Sequence, residues 1–131
     1  MNLLLDTHTW LWCALQDEGQ HLSPQARAAI EDAETIYLSA ATYWEISIKI
    51  SLGKLKVQGG TWDWEGFDEG VRENQATWLP IQREHCQQAS QLPRHHGDPF
   101  DRLLVAQARV EKLVLVTKDS NIKSYDVPTL W

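Results

Sequence analysis

The sequence predicts a three-layer α/β/α fold built on a central parallel sheet, on three observations. Short apolar runs alternate with helix-forming stretches of about 10 to 13 residues, the pattern of strands joined by right-handed crossover helices. The runs Leu3–Leu5 and Val114–Val116 are unbroken by polar residues, as in strands covered on both faces. Helix starts carry capping residues: Ser23 before Pro24, Ser39, and Asp98 before Pro99.

Along the chain, Leu3 to Leu5 is the first predicted strand and Thr7 to Gln16 a helix, broken by the polar stretch through Gly19. Ser23 and Pro24 open a second helix that runs through Ala26, Ala29, Ile30 and Ala33. Thr35 to Leu38 follows as a strand. Ser39 then caps a helix on which Ala40, Trp44, Ile48 and Leu52 recur every fourth residue before Gly53 ends it. That stripe is expected to be the packed face. Between Gly59 and Trp78, two glycines, Trp62, Trp64 and Phe67 stand among acidic residues, and a helix is predicted running to Gln75. Trp78 to Ile81 reads as a short strand, Glu84 to Gln91 as a helix, and Leu92 to Gly97 as a loop holding His95 and His96. Pro99 to Glu111 is a helix, and Tyr125 to Trp131 adds a final short strand. No repeat or linker interrupts the 131 residues, 43% of them hydrophobic, so one domain is expected over 1–131. The order of strands in the sheet does not follow from the pattern.

Composition narrows the partners. The start of the chain has no basic leader and no apolar stretch long enough for a signal peptide or membrane span, so a cytoplasmic, membrane-free protein is expected. Cys13 and Cys86 form no metal-ligand spacing, and a disulfide is not expected. The net charge of -6 argues against broad electrostatic capture of a polyanion. That objection weakens if Asp6, Glu45, Asp98, Asp101 and Asp119 share one pocket, because the remaining surface is then near neutral.

Topology gives a reason for these acids to meet. In open parallel sheets ligands bind beyond the carboxyl ends of the strands, and Asp6 and Asp119 stand just past two of them. Asp101 lies in the first turn of the helix feeding the strand at Val114. That helix must run antiparallel to its strand, so its start faces the same edge. A helix of about 12 residues spans roughly 18 Å and a five-residue strand roughly 16 Å, so the lengths agree. Glu45 follows the second strand by no more than about two helical turns and can reach over that edge too. Clustered carboxylates repel unless protonated or bridged by a cation, and an all-oxygen set favours Mg²⁺ or Mn²⁺. Such a cation supports phosphodiester hydrolysis.

Each acid also has a simpler explanation. Asp98 before Pro99 is an N-cap, Asp101 suits the helix dipole, and Asp6 and Asp119 can cap the segments that follow them. Glu45 has Lys49 four residues on, the favoured order for a surface pair. Convergence on one edge is the stronger reading, because independent caps have no reason to bring Glu45 along. The pair His95 and His96, without further spaced ligands, reads as solvated. Trp10, Trp12, Trp44 and Trp78 are expected in the core, whereas Trp62 and Trp64 read as a partner surface.

Five stretches together resemble the PIN domain nucleases and, among them, the VapC-type toxins of bacterial toxin–antitoxin systems. They are Leu4-Leu5-Asp6-Thr7-His8, Ser39-Ala40-Ala41 with Trp44-Glu45-Ile46, Asp98 to Leu104 with Ala106-Gln107-Ala108, Leu115 to Asp119, and Val127 to Trp131. The resemblance spans nearly the whole chain and rests on the order and spacing of all five. It implies a PIN-like fold and a Mg²⁺- or Mn²⁺-dependent endoribonuclease whose acidic quartet is Asp6, Glu45, Asp101 and Asp119, with Asp98 a further metal-ligand candidate. It implies supporting roles for Thr7 and Thr117, and a phosphate contact or structural pair for Arg102. It also implies cleavage leaving a 5′-phosphate, a homodimer, and an antitoxin reaching toward the acidic pocket, for which Trp62, Trp64 and Phe67 form a candidate surface.

Two other classes compete. A haloacid-dehalogenase-like phosphatase also starts with a strand ending in aspartate, but it needs a second aspartate where His8 stands. A receiver domain needs a phosphoacceptor aspartate after its third strand, and Lys54 to Val57 offers none. A non-catalytic metal- or RNA-binding module is the remaining alternative, although all four acids are present.

Overall fold

The computed structural model describes residues 1–15, 20–57, 60, 61 and 63–131. The expected parallel sheet is its centre. Strands β1 (Asn2–Leu5), β2 (Thr35–Ser39), β5 (Thr77–Leu79), β6 (Val114–Val116) and β7 (Thr129–Leu130) lie in the order β5-β2-β1-β6-β7, every neighbouring pair parallel. In β1, Leu4 stands beside Tyr37 on one side and Leu115 on the other, so the three central strands end nearly level.

Alternation along these strands divides the core. Leu3, Leu5 and Val116 pack on one face with Trp10 and Leu11 of α1 (Thr7–Ala14), Ala26 of α2 (Pro24–Asp32) and Phe67 of α4 (Trp64–Glu73). Leu4 and Leu115 pack on the other with Leu92, which caps α5 (Arg83–Gln91), Leu104 and Val105 of α6 (Pro99–Glu111) and Ile122 of α7 (Ser120–Lys123). Helix α3 (Ala40–Ser51) contributes to both clusters, through Ile46 and Ala41. Gln107 ties the second layer to the sheet edge, bonding the Ser39 hydroxyl and donating to the Pro80 carbonyl at 3.2 Å. These buried polar groups answer one another, as a tight interior requires.

The caps read from sequence form as expected. Ser23, Ser39 and Asp98 each accept a backbone N–H at the start of α2, α3 and α6. Gly53, at φ +66°, follows the end of α3 in the left-handed region that suits glycine. Gly70 lets α4 approach α1, since a Cβ there would lie 3.0 Å from the Ala14 Cβ.

Some expectations fail. The predicted end of the first helix at Gln16 lies outside the described residues. A two-stranded antiparallel ribbon, β3 (Lys56–Val57) with β4 (Gly60–Thr61), forms where no strand was predicted. Trp44 and Trp78 are not core: they are 61% and 50% exposed. The stripe Ala40, Trp44, Ile48, Leu52 is not the buried face of α3, which presents Ala41, Thr42 and Ile46 inward instead. Helix α3 is apolar on most of its circumference, so several four-residue stripes fit and the period alone does not choose among them. Trp78 sits on β5, an edge strand, where only Leu79 turns into the core. Phe67, expected on a partner surface, is 1% exposed and packs edge-on against Tyr43. No helix among the described residues is long and apolar enough to cross a membrane.

Candidate active site

The carboxyl edge of the sheet gathers the acids. The chain leaves β1 at Asp6, whose Oδ1 caps α1 by accepting Thr9 N–H at 2.9 Å, while Oδ2 accepts the Thr117 hydroxyl at 2.6 Å. Thr117 follows β6, is fully buried, and its Oγ1 accepts the backbone N–H of Asp119 at 3.0 Å. One hydroxyl thereby links the ends of two adjacent strands. Asp119 in turn caps α7 by accepting Asn121 N–H at 2.8 Å.

Glu45 enters from the second turn of α3. Its Oε1 accepts the Thr7 hydroxyl at 2.7 Å, and its Oε2 stands 3.7 Å from Lys49 Nζ. Thr7 directly follows Asp6, so this bond ties Glu45 to the end of β1; Thr42 Oγ1 lies 3.2 Å from the same hydroxyl. Asp98 behaves as the cap the sequence suggested, its Oδ1 accepting from Phe100 and Asp101 N–H at 2.9 and 3.1 Å. Asp101, half-buried one turn into α6, faces His96, with Oδ2 3.3 Å from the ring Nε2.

Electrostatics report the convergence. The Asp101 carboxyl is pushed up to about 6 from an ordinary 3.8, first by burial and then by the negative charge of Asp98. The His96 hydrogen bond opposes this, and Asp119 and Asp6 add to it. Asp6, Asp119, Glu45 and Asp98 open onto two grooves, and Asp101 lines neither of them. One, of about 330 Å³, is lined by Asp6, Asp119, His8, Trp12 and Lys118. The other, of about 380 Å³, is lined by Glu45 and Asp98 with Lys49, Lys54, Pro99 and Phe100. The acids offer carboxylate oxygens, and the His8 imidazole lies on the first groove beside them. Among the described residues no three His, Cys, Asp or Glu side chains already surround one metal position, each acid being engaged with a protein donor.

Two assignments change. Arg102 does not face either groove: it is 6% exposed, and its guanidinium donates to the carbonyls of Ala89, Leu92 and Pro93 and to the Tyr125 hydroxyl. It closes the carboxyl end of α5, the structural alternative for this residue. His96, read as solvated, is half-buried against Asp101 and Tyr125. The available signal was its position five residues before Asp101, across a Pro99 helix start that folds the loop back over the first turn. Trp62 lies outside the described residues, whereas Trp64 is 38% exposed and stacks on Tyr43.

The structure is thus a parallel α/β sheet with buried and half-buried aspartates past its carboxyl ends, the edge at which open sheets of this class take ligands. The chain belongs to the PIN domain family, whose model matches residues 3–128. It is 31% identical to Ribonuclease VapC22 of Mycobacterium tuberculosis (strain ATCC 25618 / H37Rv), the match covering 98% of each chain. Its fold is similar to a chain in the crystal structure of VapBC2 from Rickettsia felis bound to a DNA fragment from their promoter. There the TM-score is 0.74 at 16% identity, over 100% of this chain and 99% of that one. A toxin-antitoxin complex from Klebsiella pneumoniae contains a similar chain, with TM-score 0.59 at 13% identity, over 98% and 96% of the two chains.

Proposed function

We propose that this chain is a single-domain, divalent-metal-dependent endoribonuclease, the toxin of a toxin–antitoxin pair, hydrolysing RNA phosphodiesters at Asp6, Glu45, Asp101 and Asp119. The observation that carries this reading is the Thr117 hydroxyl, which joins the Asp6 carboxylate to the backbone of Asp119 where β1 and β6 end; the Asp101 carboxyl, raised by burial and by neighbouring acids that include these two, agrees with it. The kinship with a VapC ribonuclease over nearly the full length supports the activity.

The four acids fit a hard cation: each offers oxygens, and concentrated negative charge is what a divalent ion relieves. Asp6, Glu45, Asp101 and Asp119 would hold Mg²⁺ or Mn²⁺, with Asp98 at the margin. When bound, the ion supplies Lewis-acid stabilisation of a phosphoryl oxygen and a more acidic water. The chain's own residues supply the geometry. Thr117 orients Asp6 and the backbone of Asp119; Thr7 orients Glu45. Lys49, Lys54 and Lys118 line the grooves and offer ammonium groups to the phosphates on either side of the scissile bond. No attack by the 2′-hydroxyl is required, so preference for RNA belongs to binding.

The antitoxin surface we propose keeps Trp64 and replaces buried Phe67 with exposed Trp78, which meets Tyr43 edge-on. Normal co-purification of the antitoxin with a Trp64→Ala, Trp78→Ala double variant would remove that surface from the proposal. A homodimer is proposed as well, to be read by light scattering. The nuclease reading is tested with partner-free protein on single-stranded RNAs in Mg²⁺, Mn²⁺ or EDTA beside Asp6→Asn. Metal-dependent cutting that the variant loses is the expected result. Equal cutting by Asp6→Asn, or in EDTA, rejects it.

A further inference from the structure

We infer that His96 is a positioning residue for the acidic site: bonded to the Tyr125 hydroxyl that Arg102 also holds, its Nε2–H anchors one oxygen of Asp101, the carboxylate that would hold the metal. The inference rests on the metal-dependent reading above and assigns a role to a residue outside the carboxylate set.

The direction of each hydrogen bond follows from the chemistry of the groups. Arg102 can only donate, so its contact of 3.1 Å makes the Tyr125 oxygen an acceptor. The single Tyr125 proton then has two acceptors within reach, His96 Nδ1 at 2.8 Å and the His96 carbonyl at 3.5 Å. The shorter is the better bond. With Nδ1 accepting, the neutral imidazole carries its proton on Nε2, which is the atom 3.3 Å from Asp101 Oδ2. A Tyr125 hydroxyl that accepts from Arg102 and donates to Nδ1 thus goes with a neutral His96 protonated on Nε2. The chain of bonds joins α6 to the loop before it and to the segment after α7, so three pieces of backbone hold one carboxylate.

Packing adds to the case. Both histidine rings contact Tyr125, His95 edge-on at 4.8 Å between centroids and His96 tilted at 5.4 Å, and the Tyr125 side is buried. The Arg102 guanidinium stands 6.0 Å from the Tyr125 ring centroid. Tyr125 is thus locked from both sides and offers a fixed hydroxyl. Partners that orient a ligating carboxylate typically govern affinity by about 10- to 100-fold when removed.

The test is Mn²⁺ binding to RNA-free protein, measured by calorimetry and by electron paramagnetic resonance, for the parent, His96→Ala, His96→Gln and Tyr125→Phe. The expected result is binding about 10- to 100-fold weaker in His96→Ala. His96→Gln, whose amide keeps a donor near the Nε2 position, recovers most of it, and Tyr125→Phe falls between. In RNA cleavage, the loss in His96→Ala should be overcome by raising Mn²⁺, with KM for RNA unchanged. Mn²⁺ affinity in a folded His96→Ala equal to that of the parent overturns the inference, and so does failure of His96→Gln to improve on alanine. A parent that binds no Mn²⁺ yet cleaves RNA rejects the metal reading itself, and the positioning role with it.

Discussion

Replacing Arg102 with methionine separates the structural role found for this residue from the phosphate contact that was the other alternative the family resemblance implied. Methionine keeps most of the stem's packing and removes every donor. Two of the four partners released, the Leu92 carbonyl and the Tyr125 hydroxyl, are in buried hydrogen bonds, while the Ala89 and Pro93 carbonyls are half-buried. A buried group left unsatisfied costs about 1–3 kcal/mol, and a group that regains water costs about 0.5–1 kcal/mol. The sum is about 3–8 kcal/mol, a large part of the ~5–15 kcal/mol by which domains are stable. At about 3–5 °C per kcal/mol for a domain of this size, the melting temperature should fall by roughly 10–40 °C. Arg102→Lys is the second variant: it keeps the charge, but one ammonium cannot span three carbonyls, so it should sit between parent and methionine. The assay is thermal and urea unfolding beside RNA cleavage at a temperature where all three are folded. If Arg102→Met melts within about 2 °C of the parent while RNA binding collapses, the helix-closing role is wrong and the phosphate contact is right.

Asp101→Asn should stabilise the fold in EDTA even as it removes Mn²⁺ binding. The folded carboxyl titrates at about 6 against 3.8 ordinarily, so the folded state holds this proton more tightly. The stability it contributes is complete below about 3.8 and is lost as pH rises through 6. The gain in asparagine should therefore be larger at pH 8 than at pH 5, read as a difference in melting temperature; a gap that shrinks with pH contradicts the assigned shift. Phe67→Ala should cost about 3–5 kcal/mol in urea unfolding, whereas Trp44→Ala should stay within about 0.5 kcal/mol, the reverse of their sequence-based placement. Thr7→Val removes the hydroxyl holding Glu45 and should lower the cleavage rate about tenfold or more, with stability changed by less than about 1.5 kcal/mol. An undiminished rate would show that Glu45 needs no such support.

How far the molecule can be read from its chain depends on the range of the forces involved. Caps, apolar runs and helix lengths are local, and they place α2, α3, α6, β1 and β6 nearly as the structure has them, because a few neighbouring residues settle each one. The meeting of Asp6, Asp101 and Asp119 at one edge was legible too, since parallel strands and antiparallel crossover helices leave their ends nowhere else to go. Glu45 is less legible: the Lys49 pair forms as the sequence allows, and the Thr7 hydroxyl 38 residues away ties the other carboxylate oxygen to the end of β1.

Other features depend on which surfaces meet. Trp44 and Ile46 belong to one helix of nearly uniform apolarity, and one is exposed and the other buried because α3 rolls its Ala41 and Ile46 side onto the sheet. Phe67 and Trp64, three residues apart among the same acids, part company because α4 crosses α1 closely at Gly70 and drives one ring inward. The resemblance left Arg102 a phosphate contact or a structural pair, and the end of α5, whose carbonyls need a donor, lies over it and takes it for the second. His96 lies in a loop that sequence treats as solvent, and becomes part of the acidic site only because Tyr125, 29 residues on, is folded against it. Local order is written in neighbouring residues; the face a helix turns inward, and the partner a buried donor finds, are set by the packing of distant segments that no short window contains.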